Sequence, residues 1–429
     1  MGSHGSTNQA RSVTFAGSER SQRADAQLII AMRGLRSFAY GMLAVLLPVA
    51  LAGEGITPVA IGALIMVSLM GDFAGTYVIG LVADPLGRRR TLVLLALLMA
   101  GTGIVFGLIH VYALLLIAAF FGTLGTSASE TAPFLPIEQA MLPETCAPAQ
   151  RTALFARYNL VATLAGAFGA LAAGLPDLLT RIAVPQSIGI RFLFGAYAAV
   201  ALIVAWLALH LSPAVEIPAH TKESVGGMFQ RLIPSLGKAR GLVLRLTALF
   251  SVDALAGGLV VQSLLSLFFH LRFGVPLSLL AILFFGATMC SALSFLAAAP
   301  LARRIGLLNT MVFTHLPSNV LLVLVAFMPT FPLAAVFLLL RQTLSQMDVP
   351  TRQAYTMALV EPQARTATAS VTSLARSAGS ATSPVFSGLL LQGPGLLLGL
   401  PLVIAGTLKA VYDLTLWVLF RRVRLEESQ

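Results

Sequence analysis

Apolar residues run along this chain in long blocks, each closed off by proline, glycine or a cluster of charges. A helix crossing about 30 Å of hydrocarbon at 1.5 Å per residue needs roughly 20 mostly apolar residues, because lipid offers no hydrogen-bond partner to an open backbone. Blocks of that order lie at 28–52, 58–83, 91–109, 113–135, 151–174, 189–211, 241–268, 276–302, 307–328, 331–359, 366–391 and 396–420. The pattern predicts an all-α integral membrane protein with twelve transmembrane helices. Residues 1–27 are polar, with neither an apolar h-region nor a cleavage site, and read as a mobile tail rather than a signal peptide.

Composition supports the bilayer reading: 57% of residues are hydrophobic, 10% are charged, and the mean hydropathy is +0.87, which leaves too little polar surface to cover a water-soluble globule of this length. Basic residues then orient the chain. Arg88, Arg89, Arg90, Arg151, Lys222, Arg240, Arg303, Arg304 and Arg365 crowd the loops after even-numbered spans, and the opposite loops hold little beyond Arg181 and Arg272. Positive residues are retained in the cytoplasm, so both termini are expected there, in the inner or plasma membrane. The net charge of +11 thereby reports topology and not a nucleic-acid partner. Cys146 and Cys290 and the six scattered histidines lack metal-ligand spacing, and no catalytic cluster or nucleotide-binding loop stands out. No cofactor, metal or enzymatic activity is expected.

The chain repeats itself. The forty residues from Pro136 and the forty from Pro350 agree at eleven positions without a gap, an offset of 214. Shorter echoes set Ala83, Gly87 and Thr91 against Ala302, Gly306 and Thr310 at offset 219, and Arg36 and Gly41 against Asp253 and Gly258 at offset 217. The repeats predict two pseudo-symmetric six-helix halves, 28–211 and 241–420, a cytoplasmic linker at 212–240 and a short cytoplasmic tail at 421–429. Parallel halves with a site between them near the midplane are a transporter plan.

Between spans 2 and 3 stand Gly80, Asp84, Gly87, Arg88, Arg89 and Arg90. This loop resembles the glycine, aspartate, glycine and basic pattern of the major facilitator superfamily, and the span count and duplication agree with it. The resemblance implies that Asp84 faces the start of helix 11, where a helix N-terminus favours an anion, and clasps the halves on the cytoplasmic side. The glycines permit the tight turn and the arginines hold the loop inside. Two family patterns of drug/proton antiporters are missing, a proline-bearing glycine motif on span 5 and a basic residue on span 4.

Charges inside spans cost roughly 2.5–3.5 kcal/mol each and mark cavities or partners. The family's cavity is lined by helices 1, 4, 7 and 10, which selects Arg36, Glu130, Asp253, Arg341 and Asp348 as substrate or coupling residues, with Arg33 near the cytoplasmic end. Asp72 and Arg376 are expected at the interface between halves, beside the gating residues Gly80, Asp84, Gly87 and Arg88. Lys409 and Asp413, spaced i, i+4, read as a structural ion pair on span 12. The implied function is alternating-access transport of a small molecule by a monomer in the lipid bilayer, driven by an ion gradient, with protons as the expected ion and Asp253 or Glu130 as the carrier. Efflux of a partly apolar molecule is the leading expectation. Movement of an organic or inorganic anion by the membrane arginines is the alternative, and a non-transporting receptor or scaffold is a reading of another class.

Overall fold

The computed structural model describes residues 5–125, 133–147, 150–216, 240–360 and 365–422, with the side chains of 5–21, 80, 81, 84, 152, 214 and 365–367 outside that description. Among the described residues there is no strand. The helices are α1 Gly5–Gly53, α2 Pro58–Leu86, α3 Arg88–Leu108, α4 Tyr112–Phe121, α5 Phe134–Met141, α6 Arg151–Ala172, α7 Leu175–Thr180 and α8 Gln186–Leu209. After the linker come α9 Arg240–Gly258, α10 Gln262–Phe273, α11 Leu277–Ile305, α12 Leu307–Phe327, α13 Phe331–Ser345, α14 Asp348–Ala358, α15 Arg365–Thr382, α16 Pro384–Leu390 and α17 Leu400–Phe420. The first helix begins well inside the segment expected to be a mobile tail, and Asp25, near its membrane end, is buried and accepts the Ser212 backbone N–H at 2.9 Å.

Nine helices among the described residues are long and apolar enough to cross a membrane. Expected spans 4, 10 and 11 are instead assembled from shorter pieces, and the reason for two of the breaks is visible in the sequence. Pro136 and Pro350 each sit at the third position of a helix, α5 and α14, where a missing N–H costs nothing but continuation from the preceding segment is blocked. Those two helices begin at Phe134 and Asp348, again 214 residues apart.

Large apolar side chains cover the outside, among them Leu296 at 75% exposure and Leu108 at 72%, a surface suited to lipid and not to water. Inside, helices meet where glycine lets backbones touch. A Cβ on Gly41 would come within 2.0 Å of the Gly166 carbonyl, and one on Gly258 within 2.3 Å of the Ser380 carbonyl. The first contact joins α1 to α6 and the second joins α9 to α15, and the two are related by the offsets 217 and 214. Gly87 and Gly306 both turn the chain at positive φ (97° and 86°), and Thr91 and Thr310 then donate to their carbonyls at 2.9 and 2.8 Å. The same local solution recurs at both copies of the repeat.

At one end of the molecule, residues before and after 212–240 are tied together. Ser266 donates to the Val45 carbonyl at 3.0 Å, and the Ser278 N–H donates to Asp177 at 2.7 Å. Gly62 and Gly388 let α2 and α16 approach at the same end: a Cβ at Gly62 would meet the Pro384 carbonyl at 2.5 Å, and one at Gly388 the Pro58 carbonyl at 2.4 Å.

Candidate functional site

Arg36 on α1 reaches no open cavity. Its two terminal nitrogens form a fork on both oxygens of Glu138, on α5, with Nη2 to Oε2 at 2.7 Å, and each side chain is 0% exposed. Tyr158 of α6 donates its hydroxyl to Glu138 at 2.7 Å, and the Phe134 ring lies 4.1 Å under the guanidinium. Arg33, one turn earlier and also buried, stacks on Tyr158 at 5.4 Å. A bidentate, charge-assisted pair sealed from water is a rigid joint between α1, α5 and α6.

The second copy of the repeat carries the same pair with its charges exchanged. Asp253 on α9 stands 217 residues after Arg36, and Arg352 on α14 stands 214 after Glu138; they meet at 3.4 Å. Here the pair is opened into a network. Lys409 of α17 donates to Asp253 at 2.6 Å and Arg376 of α15 at 2.9 Å, while Arg352 turns chiefly to Asp348, one turn back on its own helix, at 2.6 Å. Asp348 occupies the first turn of α14, where the helix N-terminus favours a carboxylate.

A cavity of about 370 Å³ lies against this network. Its walls carry four cations, Arg341, Arg352, Arg376 and Lys409, against two carboxylates, Asp253 and Asp348, with His315 beside them and Thr163 of α6 contributed from the first half. Arg341 hydrogen-bonds the neighbouring Gln342 amide oxygen at 2.8 Å and meets no carboxylate among the described residues, and its Nε is buried without a partner. The cation excess is thus concentrated where a ligand can reach it.

Several expectations are redrawn by these contacts. Lys409 and Asp413 do not pair with each other: Lys409 is drawn to Asp253, and Asp413 accepts from His315 Nδ1 at 2.9 Å and from the Asn319 amide at 2.8 Å. Helical spacing made the i, i+4 pair available, but the neighbouring helices supply each residue with a fully buried partner. Arg376 binds Asp253 and lines the cavity, and Asp72 is buried on α2. Arg36, expected on the substrate path, is walled off by Glu138. Glu130 lies outside the described residues, as do the side chains of Gly80 and Asp84. Glu138, Arg352 and His315 were not anticipated. For the first two a signal existed, since the repeat aligns Glu138 with Arg352 just as it aligns Arg36 with Asp253.

The loop after α2 is anchored on Glu144 and on Glu216, just past the first six expected spans. Glu216 receives the backbone N–H groups of Arg88 and Arg89 at 2.8 and 3.0 Å, an acid capping the N-terminus of α3, and Arg88 donates to both oxygens of Glu144 at 3.0 Å. Arg88 is consequently buried and structural.

Helices packed around a charged central cavity are a transporter geometry, and comparison with known proteins decides the family. The Major Facilitator Superfamily model matches residues 29–384. The chain belongs to the major facilitator superfamily. Membership makes it a multi-pass membrane transporter of small molecules and not an enzyme. Among curated proteins, the Saccharomyces cerevisiae protein described as "Uncharacterized membrane protein YJR124C" is 28% identical over 422 residues, covering 92% of this chain and 94% of its own. Among solved superfamily structures, the nucleoside transporter NupG superposes with a TM-score of 0.72 at 14% identity, covering 93% of this chain and 99% of that one. A bacterial homologue of the lysosomal transporter Spinster, in an inward-facing and unoccupied conformation, gives 0.71 at 16%, covering 95% and 99%. The D-xylose–proton symporter gives 0.68 at 14%, covering 91% and 97%. At these identities the likeness to the superfamily members is one of fold.

Proposed function

We propose that this chain carries a small molecule bearing an anionic group across the inner or plasma membrane by alternating access, coupled to a proton gradient. The observation that supports it is the cavity's excess of cations, with Arg341 lacking any carboxylate of its own. An extruder of partly apolar molecules would present an apolar cavity; this one presents guanidinium groups, which match carboxylate and phosphate geometry. Arg341 and Arg376 take the anion, Asp253 holds the cations in place, and Asp348 orients Arg352. The sealed Arg36–Glu138 pair makes the first half the rigid partner and the second half the binding half.

The arrangement we propose is a monomer of twelve spans in two halves, 28–211 and 241–420, with the linker 212–240 and both termini cytoplasmic. The recurrence of the Arg36–Glu138 and Asp253–Arg352 pairs and of the two glycine contacts supports the duplication. With that orientation the closed end at Ser266 and Ser278 is extracellular and the cavity opens to the cytoplasm. Gly80, Asp84 and Gly87 then serve the opposite, outward-open state, as the family loop implies.

A thermal-shift screen of purified protein against carboxylates, phosphates, neutral sugars and cations tests the reading, because a ligand at 100 times its dissociation constant adds about 2.7 kcal/mol. Only anions should stabilise, and Arg341→Ala should abolish the shift. The stabilising anion should then be concentrated in proteoliposomes under an imposed pH gradient. Stabilisation by neutral or cationic compounds alone would overturn the anion assignment, and binding without flux would favour the receptor reading.

A further inference from the structure

Behind the cavity wall stands a buried cluster that the anion site does not use. His315 of α12 is 4% exposed and lines the cavity, yet its Nδ1 is turned away, onto Asp413 of α17 at 2.9 Å. Asp413 is 0% exposed, and its other oxygen accepts the Asn319 amide at 2.8 Å. One nitrogen of the imidazole is fixed by a carboxylate, which leaves Nε2 as the atom able to exchange a proton with the cavity. Four residues before Asp413 on the same helix face is Lys409, whose Nζ is committed to Asp253 at 2.6 Å.

We propose that His315 is the site at which the coupling proton is carried, and that Lys409 transmits its state to the anion site. The inference rests on the proton-coupled reading above. Taking a proton at Nε2 uses the imidazole lone pair and yields an imidazolium paired with Asp413; release returns the proton to cavity water. With the proton bound, Asp413 has its own counterion and Lys409 stays on Asp253. With the proton gone, Asp413 is a fully buried anion holding only neutral donors, and such a charge draws the nearest cation. The i, i+4 spacing lets Lys409 reach it. Its departure frees an oxygen of Asp253, which then competes with the substrate anion for Arg352 and Arg376. Proton loss and substrate release are coupled by the movement of one ammonium group.

Asp253 itself suits this role as a fixed anion. A proton there would forfeit charge-assisted bonds from Lys409 and Arg376 and the attraction of Arg352. The charged or titratable groups around His315 are Asp413, Lys409 and Tyr412 from α17, Arg341 from α13, Arg352 and Asp348 from α14, and Asp253 from α9. Of the elements packed on α12, α11 adds Cys290, half-buried, and Arg303 and Arg304, exposed at its end.

The test is nitrogen NMR of the full-length chain in lipid nanodiscs, labelled at histidine and lysine, with no substrate present. The His315 signal, assigned by its loss in His315→Gln, should change reversibly with pH as the ring takes up and releases its proton. The Lys409 amine signal should move with the same midpoint in the wild type and stay still in His315→Gln. Asp413→Asn should weaken proton binding at His315 by roughly tenfold or more, since it removes the neighbouring charge. A His315 signal that never changes, unequal midpoints for His315 and Lys409 in the wild type, or an unshifted midpoint in Asp413→Asn would each overturn the proposal. If His315→Gln fails to fold, His315→Asn supplies the assignment, and the wild-type comparison stands if Asp413→Asn fails to fold. Flux of the anion that ignored an imposed pH gradient would instead overturn the coupled-transport reading and leave the titration result intact.

Discussion

Removing Glu138 should be among the most damaging single changes in the first half, and the structure says by how much. In Glu138→Leu the guanidinium of Arg36 stays at 0% exposure, facing the Phe134 ring at 4.1 Å and a Tyr158 hydroxyl that has also lost its acceptor. A cation–π contact contributes on the order of 0.5–2 kcal/mol and cannot replace a carboxylate. Breaking a buried pair by removing one partner costs about 3–5 kcal/mol, a fall of roughly 10²- to 10⁴-fold in the folded-to-unfolded ratio. The pair as a whole is worth far less, because desolvation of two ions offsets most of their attraction. Arg36→Met with Glu138→Leu should therefore recover much of the loss, leaving about 1–3 kcal/mol for the orphaned Tyr158 hydroxyl. Adding Tyr158→Phe should bring the triple variant to within about 1 kcal/mol of the wild type. Equilibrium unfolding in mixed micelles, followed by circular dichroism, measures all three. If Glu138→Leu were as stable as the wild type, or the triple variant as unstable as the single one, the reading of this pair as a sealed joint would be wrong.

Gly41→Ala and Gly258→Ala should each lower the melting temperature, with overpacking of about 1–3 kcal/mol or more, because the new methyl would stand 2.0 or 2.3 Å from a backbone oxygen; Gly53→Ala, with nothing within 4 Å, is the control that should not destabilise. Glu216→Gln removes the charge that caps α3 and should cost about 0.3–1 kcal/mol, seen as faster hydrogen exchange at the Arg88 and Arg89 amides; unchanged exchange would remove Glu216 from that role. A reporter cysteine replacing Ser224 in the linker should react in intact cells only with a membrane-permeant reagent, and labelling by an impermeant one would invert the proposed topology.

Local physics made much of this protein legible from its residues. Apolar blocks of bilayer length, basic loops and the repeat from Pro136 to Pro350 require no knowledge of which helix touches which, and they led to a helical membrane transporter of the right family. The same repeat also encodes the two ion pairs. Arg36 with Asp253 and Glu138 with Arg352 are two aligned positions, and together they describe one ion pair with its charges exchanged. Glu138 lies in "PIEQ", just past the apolar block 113–135, and its burial depends on α1 and α6 closing over it.

What the tertiary structure alone decided is the choice of partner. Lys409 and Asp413 satisfy the helical rule for a pair, yet a buried charge takes the strongest partner in three dimensions: Asp253, 156 residues away, for Lys409, and His315, 98 residues away, for Asp413. The separation of a sealed ion pair in one copy of the repeat from an opened, cation-rich one beside a cavity in the other is likewise invisible in a duplicated sequence. Burial is set by packing between helices, and packing is not a property of any one of them.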